Sequence, residues 1–187
     1  MERPGYLRMY GNCYELTSPE SPAMLLRKQA AYNETFQATM HFSPSRLGYE
    51  SGVTLWWNQY SFASIGVGMV ELSEGIEAVR TVIARQPTGQ NGELKVSYPL
   101  LESEVALGDD DGAVRLTIDT TPNDYKLTLA VGAVSASVSF AAEVLTINPP
   151  VGGAFTGAMF GIYASGKSEP VLDPSDFSEI AIIERSS

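Results

Sequence analysis

The sequence predicts an all-β protein folded as a two-layered antiparallel β-sandwich, and three observations carry that prediction. Nearly every periodic segment alternates apolar and polar residues with period two, as a half-buried strand does. Turn signals rich in Pro, Gly, Asn and Asp separate these segments at short intervals. No long segment carries the apolar spacing of an amphipathic helix. A sheet of such strands hides only one face, so a second layer or closure must cover it, and two packed sheets suit roughly a dozen short strands.

The elements follow in chain order. Tyr6 to Tyr10 and Ala23 to Gln29 read as strands, the latter with Met24 and Leu26 in the core and Leu25, Arg27 and Gln29 facing outward. Phe36, Ala38, Met40 and Phe42 alternate with Gln37, Thr39 and His41, and Gly52 to Asn58 is extended before Ala63 to Val70. Ser73 to Arg85 has room for a helical turn, but the β-branched Val79, Val82 and Ile83 favour a strand over Ile76 to Ala84. Glu93 to Tyr98, Val114 to Ile118, Tyr125 to Val131, Val134 to Phe140, Met159 to Ala164 and Phe177 to Glu184 complete the set. Turns fall at Ser43-Pro44, Asn91-Gly92, Pro122-Asn123-Asp124 and Asn148-Pro149-Pro150.

A chain of 187 residues with 44% hydrophobic content suffices for one domain, residues 1–187, with a core that needs no metal or disulfide. Twelve basic residues against 22 acidic ones give a net charge of -10, which argues against nucleic acid and anionic membrane surfaces as partners. No apolar run has the length of a membrane span, and the opening Met1-Glu2-Arg3-Pro4 is not a signal peptide. Such a start suits a domain cut from a longer secreted protein. Cys13 is the only cysteine and has no cationic neighbour in sequence to activate it, so an inert thiol is expected. Asn33-Glu34-Thr35 fits the short glycosylation pattern.

The stretch around Trp56-Trp57 carries the clearest functional signal. Neighbouring strand residues point to opposite faces, so the two rings cannot share one core. One is expected inside and the other on a wet face or loop beside Tyr60, where a flat ring edged by amides suits the CH face of a sugar. Arg27 and Gln29 would add planar hydrogen-bonding groups to that face. The plainer reading is that both rings fill cores and the polar residues form an ordinary solvated face.

Other chemistry is sparse. His41 is the single histidine, flanked by Met40 and Phe42, and there is no Gly-x-Ser-x-Gly elbow, which disfavours a serine hydrolase. Histidine metal clusters are excluded by count. Calcium at Asp109-Asp110-Asp111-Gly112 is the one cation candidate, and an acidic hairpin turn explains the same residues without metal. Glu50, Glu71, Glu102, Glu104, Asp119 and Asp176 could in principle supply a glycosidase pair, but nothing in the sequence brings two of them together. Gly152-Gly153-Ala154-Phe155-Thr156-Gly157 lacks the lysine of a phosphate loop and reads as a flexible loop with Phe155 at its tip.

Five blocks, in order, bear a family resemblance: Arg3 to Gly11 with Tyr6-Leu7-Arg8-Met9-Tyr10; Ser21 to Gln29; Phe36-x-Ala38-x-Met40-x-Phe42; Ser51 to Asn58 with Trp56-Trp57; and Phe155 to Tyr163 followed by Asp176-Phe177. They resemble the C-terminal domain of glycoside hydrolase family 43 β-xylosidases and arabinofuranosidases, also classed as carbohydrate-binding module family 91. The likeness spans nearly the whole chain and is poor from Gln86 to Gly108. It implies a concanavalin A-like jelly-roll sandwich that follows a catalytic β-propeller in a longer secreted enzyme, and a chain inactive alone, because the family's catalytic carboxylates belong to the propeller. It further implies an accessory role: binding xylan or xylo-oligosaccharide through Trp56 or Trp57, Tyr60, Arg27 and Gln29, with Phe155 on a loop at the active-site rim or domain interface. The alternative is a purely structural sandwich that completes the propeller's wall. Many relatives carry two adjacent aromatics in that loop, where this chain has Ala154 before Phe155.

Overall fold

Alternation decides which side chains meet across the sandwich. The computed structural model describes residues 3–71, 78–89, 93–98, 112–132, 134–145 and 157–185. Twelve strands lie among them: β1 (Leu7–Met9), β2 (Ala23–Lys28), β3 (Glu34–His41), β4 (Glu50–Asn58), β5 (Ser61–Val70), β6 (Val79–Pro87), β7 (Leu94–Ser97), β8 (Val114–Thr120), β9 (Asp124–Val131), β10 (Val134–Ala141), β11 (Met159–Ser165) and β12 (Ser175–Glu184). They form two six-stranded sheets, one ordered β1-β12-β3-β8-β9-β10 and the other β2-β11-β4-β5-β6-β7, with every pairing antiparallel. The late strands β11 and β12 insert between early ones, so the two ends of the sequence are woven into both layers.

The first sheet follows the sequence pattern closely. Strand β3 buries Phe36, Ala38 and Met40, and β8 buries Val114, Leu116 and Ile118, while Gln37, Thr39, Arg115 and Thr117 face away from the core. Phe36 meets Phe160 of the opposite sheet in a stacked pair with centroids 5.7 Å apart, locking the layers together. The expected strand from Ile76 is described only from Val79, as β6. The expected turns at Asn91-Gly92 and Asn148-Pro149-Pro150 lie outside the described residues.

The second sheet departs from the one-face pattern, because it is buried on both sides. Strand β4 is buried without interruption from Glu50 to Trp56. Val53 and Leu55 join the main core, whereas Trp56 belongs to a separate apolar cluster with Leu16, Phe62 and Tyr163 on the far face. A strap before β2 covers that face. Gly166 N–H donates to Asn12 O at 2.8 Å, Val171 N–H donates to Gly11 O at 2.9 Å, and Ser165 Oγ donates to Tyr14 O at 3.1 Å, so the strap lies against the end of β11 and delivers Leu16. Met24 and Leu26 are apolar packing residues, as the sequence predicts, but they pack on this outer cluster rather than between the sheets.

Candidate functional site

Two places among the described residues concentrate functional side chains. The first is one end of the sandwich, where the strand ends bring the sequence-predicted residues together. Met159 of β11 pairs with Trp56 on one side and Lys28 on the other, and Gln29 N–H donates to Ala158 O at 3.0 Å. Arg27, Gln29, the two tryptophans and the start of β11 therefore share that end. Trp57 sits at a β-bulge, where the β4–β5 register shifts between Trp56 and Asn58. Tyr60 lies in the hairpin turn, fixed by the Asn58 side chain, whose Oδ1 accepts from Tyr60 N–H at 2.8 Å and Ser61 N–H at 3.0 Å.

The rings do point to opposite faces, but neither stands free in solvent. Trp56 is only 8% exposed and stacks on Phe62 at 5.2 Å, while Trp57 is half-buried against the main core. Gln29 also departs from its expected role. Its amide donates to Ala31 O at 2.8 Å and accepts from the Tyr125 hydroxyl at 3.3 Å, so it stitches β2 to the opposite sheet rather than facing a ligand. Arg27 and Tyr60 are exposed as expected, Tyr60 at 45%. Phe155 lies outside the described residues.

The second place was missed by the sequence reading: a groove of about 830 Å³ on the outer face of the second sheet. Its floor is a three-residue polar lock. Arg85 of β6 grips Glu50 of β4 with both terminal nitrogens, Nη1 to Oε1 and Nη2 to Oε2, the latter at 2.7 Å, and the Tyr163 hydroxyl of β11 donates to the same Oε1. Local sequence makes room for it. Gly52 pairs with Gly66 and Glu50 with Gly68, so positions with no side chain surround the carboxylate on this face. Burial first, and the Glu50 charge second, push the Tyr163 hydroxyl well above the ordinary tyrosine range. Burial opposes the Arg85 charge, but the attraction and hydrogen bonds of Glu50 outweigh it and hold the guanidinium above its usual value. Leu16 of the strap, Leu94 and Val96 of β7, and Tyr98 line the groove as well, with Leu94 packed on the cluster that contains Leu16.

The carboxylates named as glycosidase candidates are distributed between the layers. Asp119 accepts from Thr35 Oγ1 at 2.6 Å and Asp176 is gripped by Arg8 at 2.7 Å, both on the first sheet. Glu50 and Glu71 line the groove on the second. Outward groups of two packed sheets point away from each other across a layer spacing of roughly 10 Å plus both sheets, so a carboxylate of one sheet does not pair with one of the other. Glu50 itself has both oxygens engaged. Glu102, Glu104 and the Asp109–Asp111 turn lie outside the described residues, and among those described no three His, Cys, Asp or Glu side chains gather as a metal site. His41 lies beside Tyr6, edge to face at 5.6 Å.

A two-layer sandwich with a woven pair of ends and a grooved outer face defines a concanavalin A-like domain. Residues 1–182 match the family of β-xylosidase C-terminal concanavalin A-like domains, and the chain belongs to that family. A non-reducing end α-L-arabinofuranosidase of Bacteroides ovatus is 27% identical over 184 residues, which cover 94% of this chain and 30% of that protein. A solved structure, described as a glycoside hydrolase family 43 protein of the Bacteroides ovatus xyloglucan locus, superimposes with a TM-score of 0.74 at 26% identity, covering 94% of this chain and 32% of its own. A xylan β-1,4-xylosidase from Bacillus halodurans shares the fold at a TM-score of 0.67 and 18% identity, covering 95% of this chain and 33% of its own. The chain thus spans about a third of the length of these relatives.

Proposed function

We propose that this chain is the non-catalytic accessory domain of a secreted, xylan-degrading glycoside hydrolase, in which the sandwich end bearing Trp57, Tyr60 and Arg27 contacts xylan or xylo-oligosaccharide beside a catalytic β-propeller of the same polypeptide. The observation that carries the reading is convergence. Trp57, the rigid turn with Tyr60, the exposed Arg27 and the start of β11, which follows Phe155 by four positions in sequence, all meet at one end. Trp56 and Gln29 support that end from within and are not assigned to ligand. The reading requires no cofactor. Affinity electrophoresis on arabinoxylan tests it: retardation of the wild type and its loss in Trp57→Ala and Tyr60→Ala are expected. Equal mobility of all three with and without polysaccharide would reject a binding role, and hydrolysis of an aryl xyloside by the purified chain would reject a non-catalytic one.

A second reading is favoured by one observation. Leu25 is 52% exposed on the same edge strand as Arg27, and an apolar side chain there suits a protein partner better than a sugar. In that reading the end packs on the propeller and completes its wall without sugar affinity of its own. Association of the chain with a separately expressed propeller, weakened by Leu25→Asp, is the outcome it requires.

A further inference from the structure

We propose that the groove on the outer face of the second sheet is a separate binding site for a short neutral oligosaccharide, with Tyr98 as the stacking ring and the Arg85–Glu50 pair as its polar floor. The choice of a pentose chain as the preferred ligand rests on the function proposed above.

Size and shape come first. The volume of about 830 Å³ falls in the range of small-molecule sites, roughly 300–1,000 Å³. An outward sheet face is ordinarily flat and solvated, whereas this one carries a groove lined by the Leu16 strap and by β7. Its floor is also pre-organised, since three different strands hold the Arg85, Glu50 and Tyr163 side chains by mutual hydrogen bonds.

The chemistry then selects the ligand class. Glu50 neutralises Arg85, and Glu15 and Glu71 outnumber Lys167 among the remaining charges of the lining, so the groove has no net positive charge with which to recruit phosphate or a uronate. The two bonds to Glu50 use two of the five N–H groups of Arg85, and the side chain still lines the groove, which leaves donors for sugar hydroxyls. Tyr98, 46% exposed, lines the groove together with Val96, so an aromatic side chain there is accessible to a ligand. Planar donors together with an exposed aromatic and aliphatic side chains match a molecule with hydroxyl edges and CH faces.

The competing reading is that the ion pair merely anchors the strap. The strap is already tied by bonds from Gly166, Val171 and Ser165, none of which involves Glu50 or Arg85. A desolvated ion pair is often no more stabilising than well-packed apolar residues of similar volume. Holding the strap therefore does not account for it, and presenting polar groups at the base of an open groove does.

The test uses the intact chain, xylotriose and cellotriose as probes, and inorganic phosphate as the anionic control. Trp56 stacks on Phe62, and Phe62 lines the groove, so tryptophan emission reports occupancy alongside calorimetry. Saturable xylotriose binding is expected, weakened about fivefold or more by Tyr98→Ala and abolished by Val96→Arg, with Tyr32→Ala, an exposed tyrosine elsewhere, binding as the wild type. Urea midpoints of the variants confirm that each is folded. No binding of either trisaccharide at about 10 mM, stronger binding of phosphate, or unchanged binding by folded Tyr98→Ala and Val96→Arg would overturn the site. If arabinoxylan retention falls with Trp57→Ala and Tyr60→Ala while the trisaccharides do not bind, the groove fails and the sandwich-end reading stands. If the trisaccharides bind in the groove and those two variants keep full retention, the reverse holds.

Discussion

Tyr163 and Glu50 are joined by a hydrogen bond from a wholly buried hydroxyl on β11 to a carboxylate on β4, and Arg85 closes on that carboxylate from β6. The three positions are far apart in sequence and come together only when the second sheet is assembled. Removing the charge from one partner leaves the other uncompensated in a poorly solvated place. Glu50→Gln is therefore expected to cost about 3 kcal/mol, and Tyr163→Phe, which removes only a hydrogen bond to a charged group, about 1.5 kcal/mol. Urea denaturation of both variants checks the ranking, and equal losses would contradict it.

The same tyrosine gives the fold an alkaline limit. Its folded-state ionisation lies well above the ordinary tyrosine value because of burial, then Glu50. Between the unfolded value, about 10, and the raised folded value, the unfolded chain has lost a proton that the folded chain keeps. Stability from this group is complete below pH of about 10 and drains away above it, by up to about 1.4 kcal/mol per pH unit. Urea midpoints measured from pH 8 to 11 should fall more steeply for the wild type than for Tyr163→Phe.

How much of this was legible beforehand varies with range. The period-two runs gave β3, β8 and β9 with their faces, because burial on one side of a strand writes itself directly into local sequence. Trp56 and Trp57 were correctly placed on opposite faces for the same reason. Their exposure was not legible, since the cover over Trp56 comes from Leu16, 40 positions away, and from a sheet that is buried on both sides. Gln29 looked like a surface amide because nothing local reveals that Tyr125 reaches it across the sandwich. Glu50 was noted as a carboxylate, but its partners lie 35 and 113 positions along the chain, a pairing no spacing rule detects.

At the opposite sheet edge, Asp176 holds the short strand β1 in place. Arg8 donates to it through Nε and Nη2, both at 2.7 Å, and Arg8 and Asp176 are direct cross-strand partners. The hydrogen bonds from Arg8, despite some burial, hold the Asp176 carboxyl below its ordinary range. A depressed carboxylate stabilises the fold above its unfolded value and loses that contribution as pH falls toward the folded one. Wild-type thermal midpoints should therefore drop more between pH 5 and pH 3, bounds set at about one unit either side of the ordinary value, than those of Asp176→Asn, which starts lower and lacks this component.

Backbone proximity sets a separate constraint at the β4–β5 pair. A Cβ on Gly52 would stand 2.2 Å from Ile65 O, and one on Gly66 would stand 2.3 Å from Ser51 O, against backbone atoms that cannot step aside. Gly132, in the β9–β10 turn, has φ of 58° and nothing within 4 Å of such an atom. Gly52→Ala should cost about 3 kcal/mol or prevent folding, whereas Gly132→Ala should cost about 1 kcal/mol, the penalty of a left-handed conformation alone. Comparison of soluble yield and urea midpoint separates the two.

The tryptophans can be told apart by stability and by light. Trp56 fills the outer cluster and rests on Phe62, so Trp56→Ala opens a cavity beneath the Leu16 strap and should cost about 3 kcal/mol or more. Trp57 sits at a bulge, half-buried against the edge of the main core, and Trp57→Ala should cost about half as much. Emission of the single-tryptophan variants gives an independent reading. Trp57→Phe keeps only the buried Trp56 ring and should emit at shorter wavelength, with little quenching by iodide, while Trp56→Phe keeps the half-buried ring and should be quenched more readily. The opposite order would place the covered ring at Trp57 and would remove the link between Trp56 emission and occupancy of the groove.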